Sequence, residues 1–334
     1  MQHADYFKTF LTDTVNLGEV KLDLLGERVE RIYRALKEDE EIGPLVIAKL
    51  PQGSWAQRTI INPQNGKEFD ADFMLHLKEN PDWSGNKKEY NHIIKRALDR
   101  NSVYSEQDKE RKCRCVRLHY ANSMHVDIVP YLVLEGDRHV IVNRDLNDWE
   151  DTDPAGFTDW MKEKDGIANG NLRKVIRLLK YLRDHKNSFT GTRSIILTTV
   201  LGQQITQMRK FADPGYYVNV STTLLHVVND LDSWLQGNST KPSIADPSGS
   251  GVTFDHRWTQ ATYSYFRDRI HAHAAEIEDA YNETNFEASV QKWQALFGEG
   301  FKAPNTAASS SKFPPTTKVG VAVAATTSRS GRAG

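Results

Sequence analysis

The stretch Phe69-Asp70-Ala71-Asp72-Phe73-Met74-Leu75 constrains the fold more than any other, because it sets two acids two residues apart inside an apolar run. Bulky apolar residues at this density specify a strand, and alternate strand side chains share a face, so Asp70 and Asp72 point the same way. Two carboxylates held that close repel, and burying them is costly unless a cation neutralises the pair or a proton is shared. Met124 to Leu134 reads as a second apolar strand, with Asp127 between Val126 and Ile128. If the two strands are neighbours, three carboxylates converge on one point. Hard oxygen ligands of this kind suit Mg²⁺, and two such ions can activate an attacking oxygen and steady a leaving one.

A third motif precedes these. Leu45 to Leu50 has a short buried-strand pattern, and Pro51-Gln52-Gly53-Ser54 is its turn into a short helix expected over Trp55 to Thr59. Gly53 lets the backbone come close to a phosphate, and the N–H groups and hydroxyl of Ser54 at the helix start can hydrogen-bond it. A Gly-Ser alone carries no information. Gly-Ser after a strand, Asp-x-Asp on the next and an Asp on a third is a specific combination.

This order of motifs resembles the polymerase-beta-like nucleotidyltransferases, and within them the bacterial cGAS/DncV-like group, over roughly residues 40 to 300. The resemblance implies an α+β, two-lobed fold, with a mixed-sheet catalytic lobe, a helical lobe and a long N-terminal spine helix. It implies a cyclic oligonucleotide synthase that joins nucleoside triphosphates into a second messenger for antiphage (CBASS) defence. Asp70, Asp72 and Asp127 would then be catalytic and hold two Mg²⁺ ions, with Mn²⁺ able to substitute, while Gln52, Gly53 and Ser54 would bind nucleotide. The same core also serves linear oligonucleotide synthases and toxin-like transferases acting on a protein or tRNA acceptor, which the triad does not separate from cyclising enzymes.

Two further positions follow from the resemblance. Asn171 to His185 is an amphipathic helix whose stripe is Leu172, Val175, Ile176, Leu179 and Leu182. Lys180 on it matches a family lysine that reaches the triphosphate, whereas Arg173 and Arg177 are expected to form a solvated basic face. Ser194 matches a family serine near the nucleotide, and a helix N-cap explains it equally well. Asp246, in the loop Pro242 to Gly251, is accounted for by turn chemistry. So are Glu150, Asp151 and Asp153, which read as a solvated turn before a helix starting at Asp153-Pro154.

Residues 3 to 39 carry an interrupted helical pattern with Leu22, Leu25, Val29, Ile32, Tyr33 and Leu36 on one face. Strands are expected at 45–50, 69–77, 113–120, 124–134 and 138–143, and helices at 87–101, 171–186, 192–210, 221–236, 255–283 and 285–298. The organisation is a spine helix and catalytic lobe over 1–150, a helical lobe over 151–302 and a flexible tail over 303–334. From Ala303 the composition turns to Ala, Ser, Thr, Gly and Pro without one acid, too little apolar surface to offset its ordering entropy. By the resemblance, an E1/E2-like enzyme could conjugate such a tail through Gly334.

Composition narrows the partners. A net charge of −1 over 334 residues argues against an extensive nucleic-acid surface. No apolar run is long enough to span a bilayer, and Met1 to Lys8 lacks signal-peptide order, so a cytoplasmic monomer is expected. The two cysteines, Cys113 and Cys115, are expected to alternate along the 113–120 strand. Neither a disulfide nor a zinc site is expected there, since no Cys-x-x-Cys spacing is present.

Overall fold

The computed structural model describes residues 1–64, 66, 68–121 and 124–304. Gly334 and the rest of the tail from residue 305 lie outside the described residues.

The chain opens with α1 (Ala4–Phe10), a π-helical turn (Leu11–Val15) and α2 (Glu19–Glu38). The helical pattern of residues 3–39 is thus broken around Gly18, whose extended backbone caps α2. The break divides this segment between two cores. Leu25, Val29, Ile32 and Leu36 of α2 pack under the sheet, while Phe7, Phe10, Leu11 and Val15 join the core of the helices. Phe7 meets Trp293 edge-on at 5.0 Å and Phe301 at 4.9 Å. Burying each such side chain contributes roughly 1.5–3 kcal/mol, which anchors the amino-terminal segment on the helices.

The sheet comprises β1 (Val46–Gln52), β2 (Phe69–Leu77), β3 (Lys109–Arg111), β4 (Val116–Tyr120), β5 (Met124–Leu134), β6 (Arg138–Asn143) and β7 (Asp148–Asp151). Its order is β1-β2-β5-β4-β3, and the far half of β5 pairs with β6, which pairs with β7. It is a mixed sheet: β2 and β5 run parallel, and the other pairs are antiparallel. Phe69, Ala71, Phe73 and Leu75 point to one face, covered by α2 and by α4 (Glu89–Arg100). The two-residue period therefore puts Asp70, Asp72 and Met74 on the other face, with Asp127 and Val129 of β5.

After β7 come α5 (Pro154–Ile167), α6 (Leu172–His185), α7 (Ser194–Gln203), α8 (Gln207–Ala212), α9 (Val220–Gln236), α10 (Gln260–Asn282) and α11 (Phe286–Phe297). The helix expected over 192–210 is two helices, because Thr206 caps α8 by accepting from the Arg209 N–H at 3.3 Å. Glu150 and Asp151, read as part of a solvated turn, lie in edge strand β7. The expected Asp153-Pro154 start holds, with the Asp153 carboxylate accepting from the Gly156 N–H at 2.8 Å. Cys113 and Cys115 precede β4 rather than alternating along it, and both are free thiols. Among the described residues no helix is long and apolar enough to cross a membrane.

Candidate active site

Strand register assembles the centre of the site. Gln52 of β1 lies opposite Asp72 of β2, Asp72 beside Asp127 of β5, and Asp127 opposite Arg117 of β4, one row across four strands. Part of Asp72 is open to the cleft, yet protein crowds its carboxyl. Burial first, then the charges of Asp70 and Asp127, hold that carboxyl well above the usual carboxylate range. Asp127 lies deeper, with Arg117 Nε on its Oδ1 and Nη2 on its Oδ2, both at 2.7 Å. Such a fork-to-carboxylate pair is among the stronger charge-assisted contacts, and it raises the guanidinium pKa.

The Arg117 fork changes the expected picture of three convergent carboxylates. The acids share a face in adjacent registers, but among the described residues no three acidic, histidine or cysteine side chains are arranged to hold a metal ion. The donors fit a divalent cation in kind: they are hard oxygens, and Asp72 is repelled by both neighbours. They do not fit it in arrangement while Arg117 occupies Asp127.

The Gly-Ser turn presses on the same row. Gly53 begins the single-turn helix α3 (Gly53–Ala56) in the left-handed region, with φ +63°, and a Cβ there would overlap the Asp72 carboxylate. Only glycine permits both the conformation and the approach. The expected helix at Trp55 to Thr59 thus starts two residues earlier and ends at Ala56. Its following loop is clasped by α6: Lys180 Nζ donates to the Thr59 carbonyl at 3.0 Å and hydroxyl at 3.2 Å, and Arg173 Nε donates to the Gln57 carbonyl at 2.9 Å. Burial, with Arg183 adding to it, lowers the Lys180 ammonium to about 8 despite the opposing pull of Asp70, Asp184 and Asp72.

Between the sheet and the helices lies a cleft of about 760 Å³, within the usual range for a small-molecule site. Gln52, Gly53, Ser54, Asp70, Asp72, Lys180 and Ser194 all line it, whereas Asp127 sits behind the lining. The arrangement offers a phosphate a close backbone turn, a buried ammonium and an acid pair in need of a counter-cation.

Comparison with known proteins agrees with this fold. The model for the Second Messenger Oligonucleotide or Dinucleotide Synthetase (SMODS) domain matches residues 1–165. A c-di-GMP synthase of Roseivirga ehrenbergii is 28% identical, the match covering 59% of this chain and 61% of that protein. A cyclic AMP-AMP-AMP synthase of an Acinetobacter species is 21% identical over 59% of this chain and 56% of its own. The chain thus spans less than two thirds of the length of these curated relatives. The structure of E. coli MS115-1 CdnC with ATP superposes with a TM-score of 0.66 at 20% identity, covering 90% of this chain and 99% of that one. Vibrio cholerae DncV cyclic AMP-GMP synthase with a linear intermediate gives 0.71 at 14%, over 90% and 96%. The chain is similar to the cGAS/DncV-like nucleotidyltransferases in fold. Its fold is theirs, a mixed-sheet lobe joined to a helical lobe.

Within this fold, several sequence readings change. Arg173 and Arg177 do not form a solvated face. Arg173 pairs with Asp165 at 2.5 Å, and burial lowers the Arg177 guanidinium, because this side of α6 turns inward rather than to solvent. Ser194 is the first residue of α7, whose N-cap is Arg193, so capping does not explain it; its hydroxyl lies 3.4 Å from Arg183 Nη1. Asp246 lines the cleft while its carboxylate accepts from the Ser248 N–H at 3.0 Å and the Ser250 hydroxyl at 2.9 Å, so the turn reading also holds. Glu150, far from solvated, lines the cleft and is held by Arg114 Nε at 2.7 Å.

Four cleft or near-cleft residues escaped the sequence reading: Thr59, Arg117, Arg183 and Arg257. Arg117 had a signal, a cation inside the otherwise apolar run Cys115 to Leu118. The others gave none, since their place depends on how the helices return to the sheet.

Proposed function

We propose that this chain is a cyclic oligonucleotide synthase that joins nucleoside triphosphates with release of pyrophosphate, producing a second messenger for antiphage defence. The observation that carries the reading is that Gln52, Asp70, Asp72, the Gly53-Ser54 turn and Lys180 line one cleft, with Asp127 beside Asp72 behind the lining. The Gly53 backbone and the Ser54 N–H and hydroxyl receive the phosphates of one nucleotide, and the Lys180 ammonium faces them. Asp70 and Asp72 would hold Mg²⁺, with Asp127 able to join them only if Arg117 let it go, and the ion would supply neutralisation of the phosphate charge. The cleft orients a ribose 2′- or 3′-hydroxyl of a second nucleotide toward the α-phosphorus, so that the new P–O bond forms as pyrophosphate departs. A second transfer at the same site closes the ring. The protein contributes position and electrostatics, as in phosphoryl transfers generally.

The test is incubation of the purified chain with the four ribonucleoside triphosphates and Mg²⁺ or Mn²⁺, singly and in pairs, followed by phosphatase and chromatography. A phosphatase-resistant product, lost in Asp70→Asn/Asp72→Asn, supports the proposal. Phosphatase-sensitive oligomers would point instead to a linear synthase, and label on added protein or tRNA to an acceptor-directed transferase. Conjugation of Gly334 by an E1/E2-like enzyme belongs to this proposal on the family resemblance alone. Comparison of conjugates in cells with and without that residue tests it.

A further inference from the structure

The cleft also carries a charge cluster to which the transfer chemistry assigns no task. Arg257 stands there at the end of a 3₁₀ turn (Asp255–Arg257), its N–H donating to the Phe254 carbonyl at 2.8 Å. Its Nη2 lies 4.0 Å from Glu150 Oε1. Glu150 is already engaged by Arg114 Nε, at 2.9 and 2.7 Å from its two oxygens, and by Asn143 Nδ2 at 3.4 Å. The Arg257 Nε is buried without a hydrogen-bond partner among the described residues. Burial and the nearby charges of Arg114 and Arg193 depress its pKa, a cost that one shared carboxylate does not remove. Arg257 lines the cleft, and one long contact to a carboxylate that Arg114 already holds leaves its terminal nitrogens short of acceptors, so its place there points to a ligand acceptor.

The surroundings choose among ligand groups. Ile141, Val252 and Phe254 line the same cleft as Arg257, and Phe254 belongs to the core of the helices. A phosphate gains nothing from such apolar neighbours, while a nucleobase presents them its flat face and the guanidinium its edge. Guanine places two acceptors, O6 and N7, side by side to meet a guanidinium fork. Adenine puts an amino donor beside N7, facing like donors.

We infer that Arg257, beside the Glu150 carboxylate that Arg114 holds, reads a guanine base, so that at least one nucleotide taken by this cleft is GTP. The inference rests on the nucleotide-binding reading of the cleft and names the base for one of its sites. Guanine should be preferred to adenine by roughly 5- to 150-fold, the discrimination one bidentate pair supplies.

The experiment is calorimetric titration of the full chain, with Mg²⁺, by non-hydrolysable α,β-methylene analogues of GTP and ATP, and by 7-deaza-GTP, which lacks the N7 acceptor. The expected result is a guanine preference in that range, weakened for 7-deaza-GTP and brought near parity in Arg257→Met and Arg257→Lys, the latter keeping the charge without the fork. Equal affinity of the wild-type chain for the two analogues would overturn the inference, as would a preference that survives in a folded Arg257→Met. The 7-deaza comparison uses the wild-type chain, so a full affinity for that analogue would count against the inference even if both variants misfold. Product analysis run in parallel separates the two claims. An oligonucleotide without guanine sinks this inference and leaves the synthase reading intact, whereas guanine-selective binding without any nucleotidyl transfer does the reverse.

Discussion

Gly53→Ala tests how closely the Gly-Ser turn and the acid row are built on one another. The left-handed φ of +63° at this position costs an L-residue about 1–2 kcal/mol. In addition, the new Cβ would occupy the space of the Asp72 carboxylate, which must swing away. Removing that carboxylate with Asp72→Ala removes the clash and leaves the backbone cost unchanged. A double-mutant cycle therefore separates the two: Gly53→Ala is expected to cost about 1–2 kcal/mol in the Asp72→Ala background. In the native background it should cost at least ~1 kcal/mol more, within the usual coupling of contacting residues. The assay is urea unfolding of the four chains followed by fluorescence and circular dichroism together, with coincident transitions required before energies are compared. A coupling within about 0.5 kcal/mol of zero would refute the contact between Gly53 and Asp72.

Other perturbations follow from the same site. The folded state holds the Asp72 proton more tightly than the unfolded chain, so this residue's stabilising contribution is complete in acid and is lost as pH rises through its elevated pKa. Asp72→Asn should accordingly melt higher than wild type by a few degrees at neutral pH, with the gap closing in acid; a lower melting temperature at pH 7 would contradict the repulsion. Arg117→Met strips a buried carboxylate of its partner and should cost about 3–5 kcal/mol, much of it recovered in Arg117→Met/Asp127→Asn, as read by thermal melts. Lys180 loses its proton near pH 8, so affinity for a triphosphate should fall between pH 7 and 9 more steeply in wild type than in Lys180→Arg; parallel profiles in calorimetry would remove Lys180 from the phosphate site.

What the chain reveals before folding is local and periodic. The two-residue alternation of Phe69 to Leu75 placed Asp70 and Asp72 on one face, and β2 and β5 run side by side over the stretches where they were expected. The Leu172 stripe likewise fixed which side of α6 meets the core. Long-range pairing was the part that local pattern does not encode. Arg117 faces Asp127 only through the antiparallel register of β4 on β5, and it takes the carboxylate that seemed reserved for a cation. Arg173 and Arg177 looked solvated because a helix wheel shows one stripe and not the second surface that buries the opposite side. Glu150 looked like a turn acid because a four-residue edge strand such as β7 is too short to register as alternation.

The central claim is that the cleft transfers nucleotidyl groups through Asp70 and Asp72, and its most direct test is pyrophosphate release. The full chain is incubated with GTP and with GTP plus ATP in Mg²⁺, and pyrophosphate and α-³²P-labelled product are counted together. The account predicts one pyrophosphate for each new phosphodiester bond in the wild-type chain, and none from an Asp72→Asn chain that melts as a folded protein. Pyrophosphate released at the wild-type rate by Asp72→Asn would contradict it.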